Sequence, residues 1–106
     1  RSPFWLDNHT YGFVRRVEQD AQLTRGETEI VMATLENPTS VRLITTADLF
    51  AQFPENVPQR GLAIGYVATH PQQPDRLFIV ALDESGQRVY VIVYDLATGQ
   101  AEVRLQ

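Results

Sequence analysis

An α+β fold built mostly from antiparallel strands is predicted by three features of this 106-residue chain. Residues 62–105 divide into four runs rich in Val, Ile, Leu and Tyr, separated by clusters of turn-forming residues. A further pair of β-branched runs flanks Asn37-Pro38-Thr39-Ser40, and two short stretches carry helix-like apolar stripes. Hydrophobic residues make up 43% of the chain, which is too many for an intrinsically disordered segment, and the length suits one domain spanning 1–106.

The chain opens with RSPFWLDNHTYGF, which holds Phe4, Trp5, Tyr11 and Phe13 among the ten aromatic residues present. A buried aromatic ring removes about 150–250 Å² from water, so a segment this apolar is expected to dock. Folding back onto its own domain is the favoured alternative, and anchoring a partner is the other. Residues 1–10 are treated as this aromatic N-terminal segment. Over residues 11–22, Phe13, Val17 and Ala21 recur at helical spacing with Thr10 as a candidate N-cap, which predicts a helix. The stretch 28–45 is ambiguous. Thr24-Arg25-Gly26-Glu27 has capping-box spacing, but Thr28, Ile30, Val31 and Thr34 are β-branched and a Pro-containing turn follows. A hairpin of strands 28–35 and 41–45 is favoured, extending the C-terminal sheet. Thr46 to Phe53 reads as a short helix capped by Thr46, with Leu49, Phe50 and Phe53 on its apolar face and Pro54 ending it.

The C-terminal strands are expected at 62–69, 76–82, 87–94 and 101–105, joined as an antiparallel β-meander (about 62–105) packed on one or two short helices. The second and third are apolar on both faces, so they should be central and covered on both sides. The last alternates Ala101, Val103, Leu105 with Glu102 and Arg104, as an edge strand with one wet face does. Two short helices cover only one face of such a sheet. The other needs the N-terminal segment, a curled-over hairpin or another chain, and an open-faced or half-barrel roll fits better than a closed barrel.

Composition removes several functions. Nine Arg and no Lys stand against thirteen acidic residues for a net charge of −4. Residues 1–21 sum to zero and both 22–60 and 61–106 to −2, so no segment supplies the basic stripe that phosphates require, and nucleic acid is not expected as a partner. No apolar run approaches the roughly 18 residues of a transmembrane helix, so membrane insertion is not expected. The absence of cysteine removes thiolate chemistry and Cys-ligated zinc. A chain starting at Arg1 rather than Met is expected to be processed from, or part of, a longer one.

Candidate chemistry is sparse. His9 lies in Asp7-Asn8-His9 without the spaced second histidine that zinc sites show, and neither a metal nor a cofactor is expected. Asn8-His9-Thr10 also fits a glycosylation sequon. His70, at a strand end before Pro71, is the residue to act as general base if the sheet holds a small-molecule or small enzymatic site. Asp83-Glu84 and Asp95 fall in turns, where carboxylates usually bond the backbone rather than transfer protons. Catalytic residues are therefore assigned to none. The interaction candidates are Phe4, Trp5, Tyr11, Phe13, Tyr90 and Tyr94, with Tyr66 as a third strand tyrosine that belongs either to core or to interface.

Residues 76–103, RLFIVALDESGQRVYVIVYDLATGQAEV, resemble the closing strands of PepSY domains, in which a hairpin ends in a D-x-x-T-G turn before a final strand. Here that turn is Asp95-Leu96-Ala97-Thr98-Gly99, which is similar to a β-propeller blade turn as well. The resemblance implies an inhibitory or chaperone role without catalysis. It does not extend to residues 1–60, where the PepSY pattern is missing. The expectation drawn from the chain as a whole is a non-catalytic protein-interaction or assembly module that binds a protein partner or a second copy of itself.

Overall fold

The computed structural model describes residues 3–17, 28–58, 61–83 and 85–105. They form two four-stranded antiparallel sheets and one short helix. The first sheet contains β1 (Phe4–Trp5), β2 (Thr10–Arg16), β3 (Thr28–Thr34) and β4 (Val41–Thr45), paired in that order. Helix α1 (Thr46–Phe50) follows, and the second sheet pairs β5 (Leu62–His70), β6 (Gln73–Asp83), β7 (Val89–Asp95) and β8 (Ala101–Leu105) in turn.

Residues 10–16 are strand, not the first turns of a helix, and Glu18 to Gln22 lie outside the described residues. The physical reason is in the register. Tyr11, Phe13 and Arg15 pair with Ala33, Val31 and Glu29 on one face, while Gly12 and Val14 pair with Met32 and Ile30 on the other. The helical spacing of Phe13 and Val17 is real, but a strand ladder that uses every residue outweighs one narrow stripe. Gly12 is set by close approach. A Cβ there would come within 2.4 Å of the Phe4 ring and 2.9 Å of the Val31 carbonyl oxygen, so the ring lies where any side chain would be.

The hairpin of β3 and β4 forms as an antiparallel pair, but it belongs to the first sheet and does not extend the C-terminal one. β2 occupies the free edge of β3, and α1 leaves β4 directly and redirects the chain before β5 begins. The helix cap is one residue earlier than expected. Thr45 is the N-cap and its hydroxyl accepts the Asp48 N–H at 3.1 Å. Thr46 instead turns its hydroxyl to Thr28, accepting that residue's N–H at 3.0 Å and donating to its carbonyl. The helix stops at Phe50, and Phe53 and Val57 in the following turns are buried beside it.

Both sheets and α1 share one core. Phe4 and Ile30 come from the first sheet, Leu49, Phe50, Phe53 and Val57 from the helix and its exit, and Ile64, Leu77, Ile79, Ala81, Tyr90, Ile92 and Tyr94 from the second. Each fully buried aliphatic side chain contributes about 1.5–3 kcal/mol relative to exposure. The first sheet and α1 thus cover the inward face of the second sheet, a role that sequence reasoning gave to two helices. β6 and β7 are central, and the described residues cover them on one side only. On their outward face Phe78, Val80, Leu82 and Val91 are half-buried and Val89 is exposed, with only Val93 buried. Bulky neighbours on a pleated face shield one another in part without a second layer.

The breaks between C-terminal strands are tighter than composition suggests. His70 pairs with Gln73, so only Pro71 and Gln72 form the turn and Pro74 lies within β6. Pro74 is tolerated because β6 pairs with β7 only from Arg76 onward and the β5 register shifts between Ala68 and His70. The D-x-x-T-G segment is a self-contained turn. Asp95 Oδ1 accepts the N–H groups of Ala97 and Thr98 at 2.8 and 3.2 Å, and Gly99, with φ of 73°, donates to the Asp95 carbonyl at 2.8 Å.

Candidate interaction site

The six aromatic candidates fall in two groups. Phe4, Tyr90 and Tyr94 are buried in the core, and burial pushes the Tyr94 hydroxyl's pKa up from its ordinary value. Trp5, Tyr11 and Phe13 instead share the outward face of the first sheet, because Trp5 pairs with Tyr11 and Phe13 follows two residues later. Their rings form a ladder with centroids 5.6 and 6.5 Å apart. The N-terminal segment is divided between the two faces: Phe4 folds inward, and Trp5 remains 49% exposed.

Tyr66, the third strand tyrosine, is 62% exposed, and it and Trp5 are the two exposed aromatic residues of the molecule. They flank the same cleft. This opening of about 600 Å³ lies where β1 and β5, the facing edges of the two sheets, approach. Phe4, Val14, Ile64 and Val67 supply apolar wall, and none of the described residues that line it is charged. Among the described residues β5 pairs on one side only, with β6, and β1, which faces its other edge, is two residues long. The two edges are tied where Thr69 Oγ1 donates to the Trp5 carbonyl at 2.8 Å. The described lining of this partly apolar cleft offers burial of apolar surface and holds no side chain able to transfer a proton near neutral pH.

Sequence reasoning favoured core over interface for Tyr66, and the structure places it at the surface. The usable signal was its setting in Ala63-Ile64-Gly65-Tyr66-Val67-Ala68, where small residues surround one large ring. It also missed a buried ion cluster. Glu29 is 4% exposed and accepts hydrogen bonds from Nε of both Arg15, at 2.8 Å, and Arg42. Arg15 Nη1 also donates to Ser40 Oγ at 2.8 Å. Burial pushes the Glu29 carboxyl pKa up, but the two guanidinium hydrogen bonds and charges outweigh it and hold the pKa below the ordinary value. This cluster ties β2, β3 and β4 together on the outward face.

Neither histidine lies in a cleft of this kind. His9 is exposed with Nδ1 3.1 Å from a carboxyl oxygen of exposed Glu36. His70 sits in the β5–β6 turn, where its Nδ1 accepts the Gln72 N–H at 3.1 Å. Asp7 and Asp83 serve their turns. Asp7 accepts the His9 and Thr10 N–H groups, Asp83 accepts those of Arg88 and Gln87, and these bonds hold both carboxyls below their ordinary pKa. Glu84 lies outside the described residues. Among the described residues no group of three His, Asp or Glu side chains is placed to hold a metal ion, and no helix is long and apolar enough to cross a membrane. Comparison with protein-family models, curated proteins and solved structures finds no match to this chain.

Proposed function

We propose that this chain is a non-catalytic protein-interaction module that binds a protein partner at the β1–β5 cleft. One observation carries the proposal: Trp5 and Tyr66, both exposed, flank the same cleft, and its described lining carries no charge. Tryptophan and tyrosine are the residue types that most often dominate binding energy at interfaces. The apolar surface also continues outward from the cleft, since Tyr66 pairs with Val80 and Val80 with Val91 across the open face of the second sheet. A small-molecule site based on His70 has less support, because that side chain is exposed in a turn and its Nδ1 is already engaged.

The test is site-specific photocrosslinking in cells that express the protein. A photoreactive residue replacing Ala68, which lines the cleft, should give one dominant protein adduct. The same residue at Thr98, in the turn before β8, should not. Combining the Ala68 probe with Trp5→Ala should abolish the adduct. Equal labelling from both positions, or no adduct from Ala68, would remove the proposal.

A further inference from the structure

We infer that Ser40 is a phosphorylation site and that Arg15 and Arg42 receive its phosphoryl group. The inference concerns the first sheet and does not depend on the β1–β5 cleft. Arg15 Nη1 donates to Ser40 Oγ at 2.8 Å, while its Nε donates to Glu29. Arg42, two residues after Ser40, places its own Nε on the second carboxyl oxygen of Glu29. The serine hydroxyl therefore borders a pair of guanidinium groups that one carboxylate holds in place. Two cations against one anion leave the cluster positive. Glu29 is 4% exposed and grips the pair from beneath, whereas the Arg15 and Arg42 side chains are 44% and 54% exposed. Arginine forks fixed in this way are the geometry that receives a phosphoryl group, because their donors are ordered before it arrives.

The approach to Ser40 suits the modification. Residues 35–39 are exposed and lie outside the strands, and Ser40 itself is half-buried at the point where β4 begins. The reaction is transfer from a nucleoside triphosphate by a protein kinase. The Oγ–P bond forms, the bond between the γ-phosphorus and the bridging oxygen breaks, the hydroxyl proton passes to the kinase's base and the nucleoside diphosphate leaves. The product adds about −1.5 to −2 charge and three acceptor oxygens just beyond Oγ, on the side where Arg15 already donates. Glu29 keeps the Nε atoms and the phosphoryl group takes Nη atoms. Arg15 lies on β2, and Ser40 and Arg42 lie at the start of β4, so the modification adds a second bridge across β3 and stiffens the first sheet.

Two measurements test this. Phosphopeptide mapping of the protein isolated from cells that express it, with phosphatases inhibited, should find a phosphoryl group on Ser40. Urea unfolding of the intact chain with phosphoserine encoded at position 40 should then show a folding equilibrium constant about tenfold higher than that of the unmodified chain. The same comparison within Arg42→Gln should give a gain below about twofold, and the cost of losing the arginine cancels because both chains lack it. Phosphoserine encoded in place of the exposed neighbour Thr39 should also give a gain below about twofold, which repeats the test with both arginines present. A Ser40 found unmodified in cells, a loss of stability on its phosphorylation, or equal gains from positions 39 and 40 would overturn the inference. None of these outcomes bears on the interaction-module reading, which the Ala68 adduct decides.

Discussion

The two sheets meet along two seams, and the seams are built differently. On the α1 side, Leu49, Phe50, Phe53 and Val57 fill the space between the sheets with buried side chains. Gln52 then fastens the helix exit to the start of β8, its Nε2 donating to the Gly99 carbonyl at 3.1 Å and its Oε1 accepting the Ala101 N–H at 2.9 Å. On the β1–β5 side, the Thr69–Trp5 hydrogen bond spans a cleft of about 600 Å³ flanked by exposed aromatics. One seam is closed by the chain's own apolar residues and holds the fold together. The other leaves comparable chemistry facing outward, which is how a small domain keeps a stable core and still has surface to offer a partner.

Substitutions can separate the two seams by size of effect. Leu49→Ala, in the closed seam, should lower unfolding free energy by about 2–5 kcal/mol, read from urea titrations, because the side chain is fully buried. Gly12→Ala should cost about 1–3 kcal/mol, since the new methyl group meets the Phe4 ring that forms the inner wall of the open seam. Glu29→Gln should cost about 2 kcal/mol by weakening two charge-assisted hydrogen bonds, although it lies in neither seam. Gln52→Ala should cost about 1 kcal/mol, and Thr69→Val less than about 0.5 kcal/mol. If Thr69→Val proves as damaging as Gln52→Ala, the β1–β5 seam is structural and the contrast fails.

The acid limb gives a further test of the Glu29 cluster. Its folded pKa lies below the ordinary value of 4.5, so its stabilising contribution is present above that value and is lost as pH falls through the folded pKa. Asp7 and Asp83 are shifted in the same direction, so part of the acid sensitivity belongs to them. Urea midpoints measured at pH 7 and pH 3 should differ less in Glu29→Gln than in the parent. An identical difference in both would mean that Arg15 and Arg42 do not hold the carboxylate.

Local signals carried much of the architecture. Turn residues mark the breaks between strands, and β3, β4 and β8 fall within one residue of the positions expected. Asp83 and Asp95 were legible as turn-formers because the carboxylate bonds backbone a few residues ahead. The error over residues 11–16 arose because residues four apart share one face of a strand as well as of a helix, so the spacing of Phe13 and Val17 fits both. Only pairing with β3 decides between them. The same limit applies to Glu29, whose partners lie 14 and 13 residues away on different strands.

By itself the sequence determined what is local: the alternation of the strand faces, the positions of turns, the absence of a basic stripe and the apolar character of the first thirteen residues. Tertiary structure decided which edge pairs with which, and those choices are long-range. Strand 28–34 joined the N-terminal strands because β2 offered it a complementary ladder, and the first sheet took over the cover of the second. Phe4 and Trp5 are adjacent aromatic residues, yet one is buried in the core and the other is half exposed. Successive strand residues point to opposite faces, and only the pairing with Gly12 and Tyr11 fixes which face is inside.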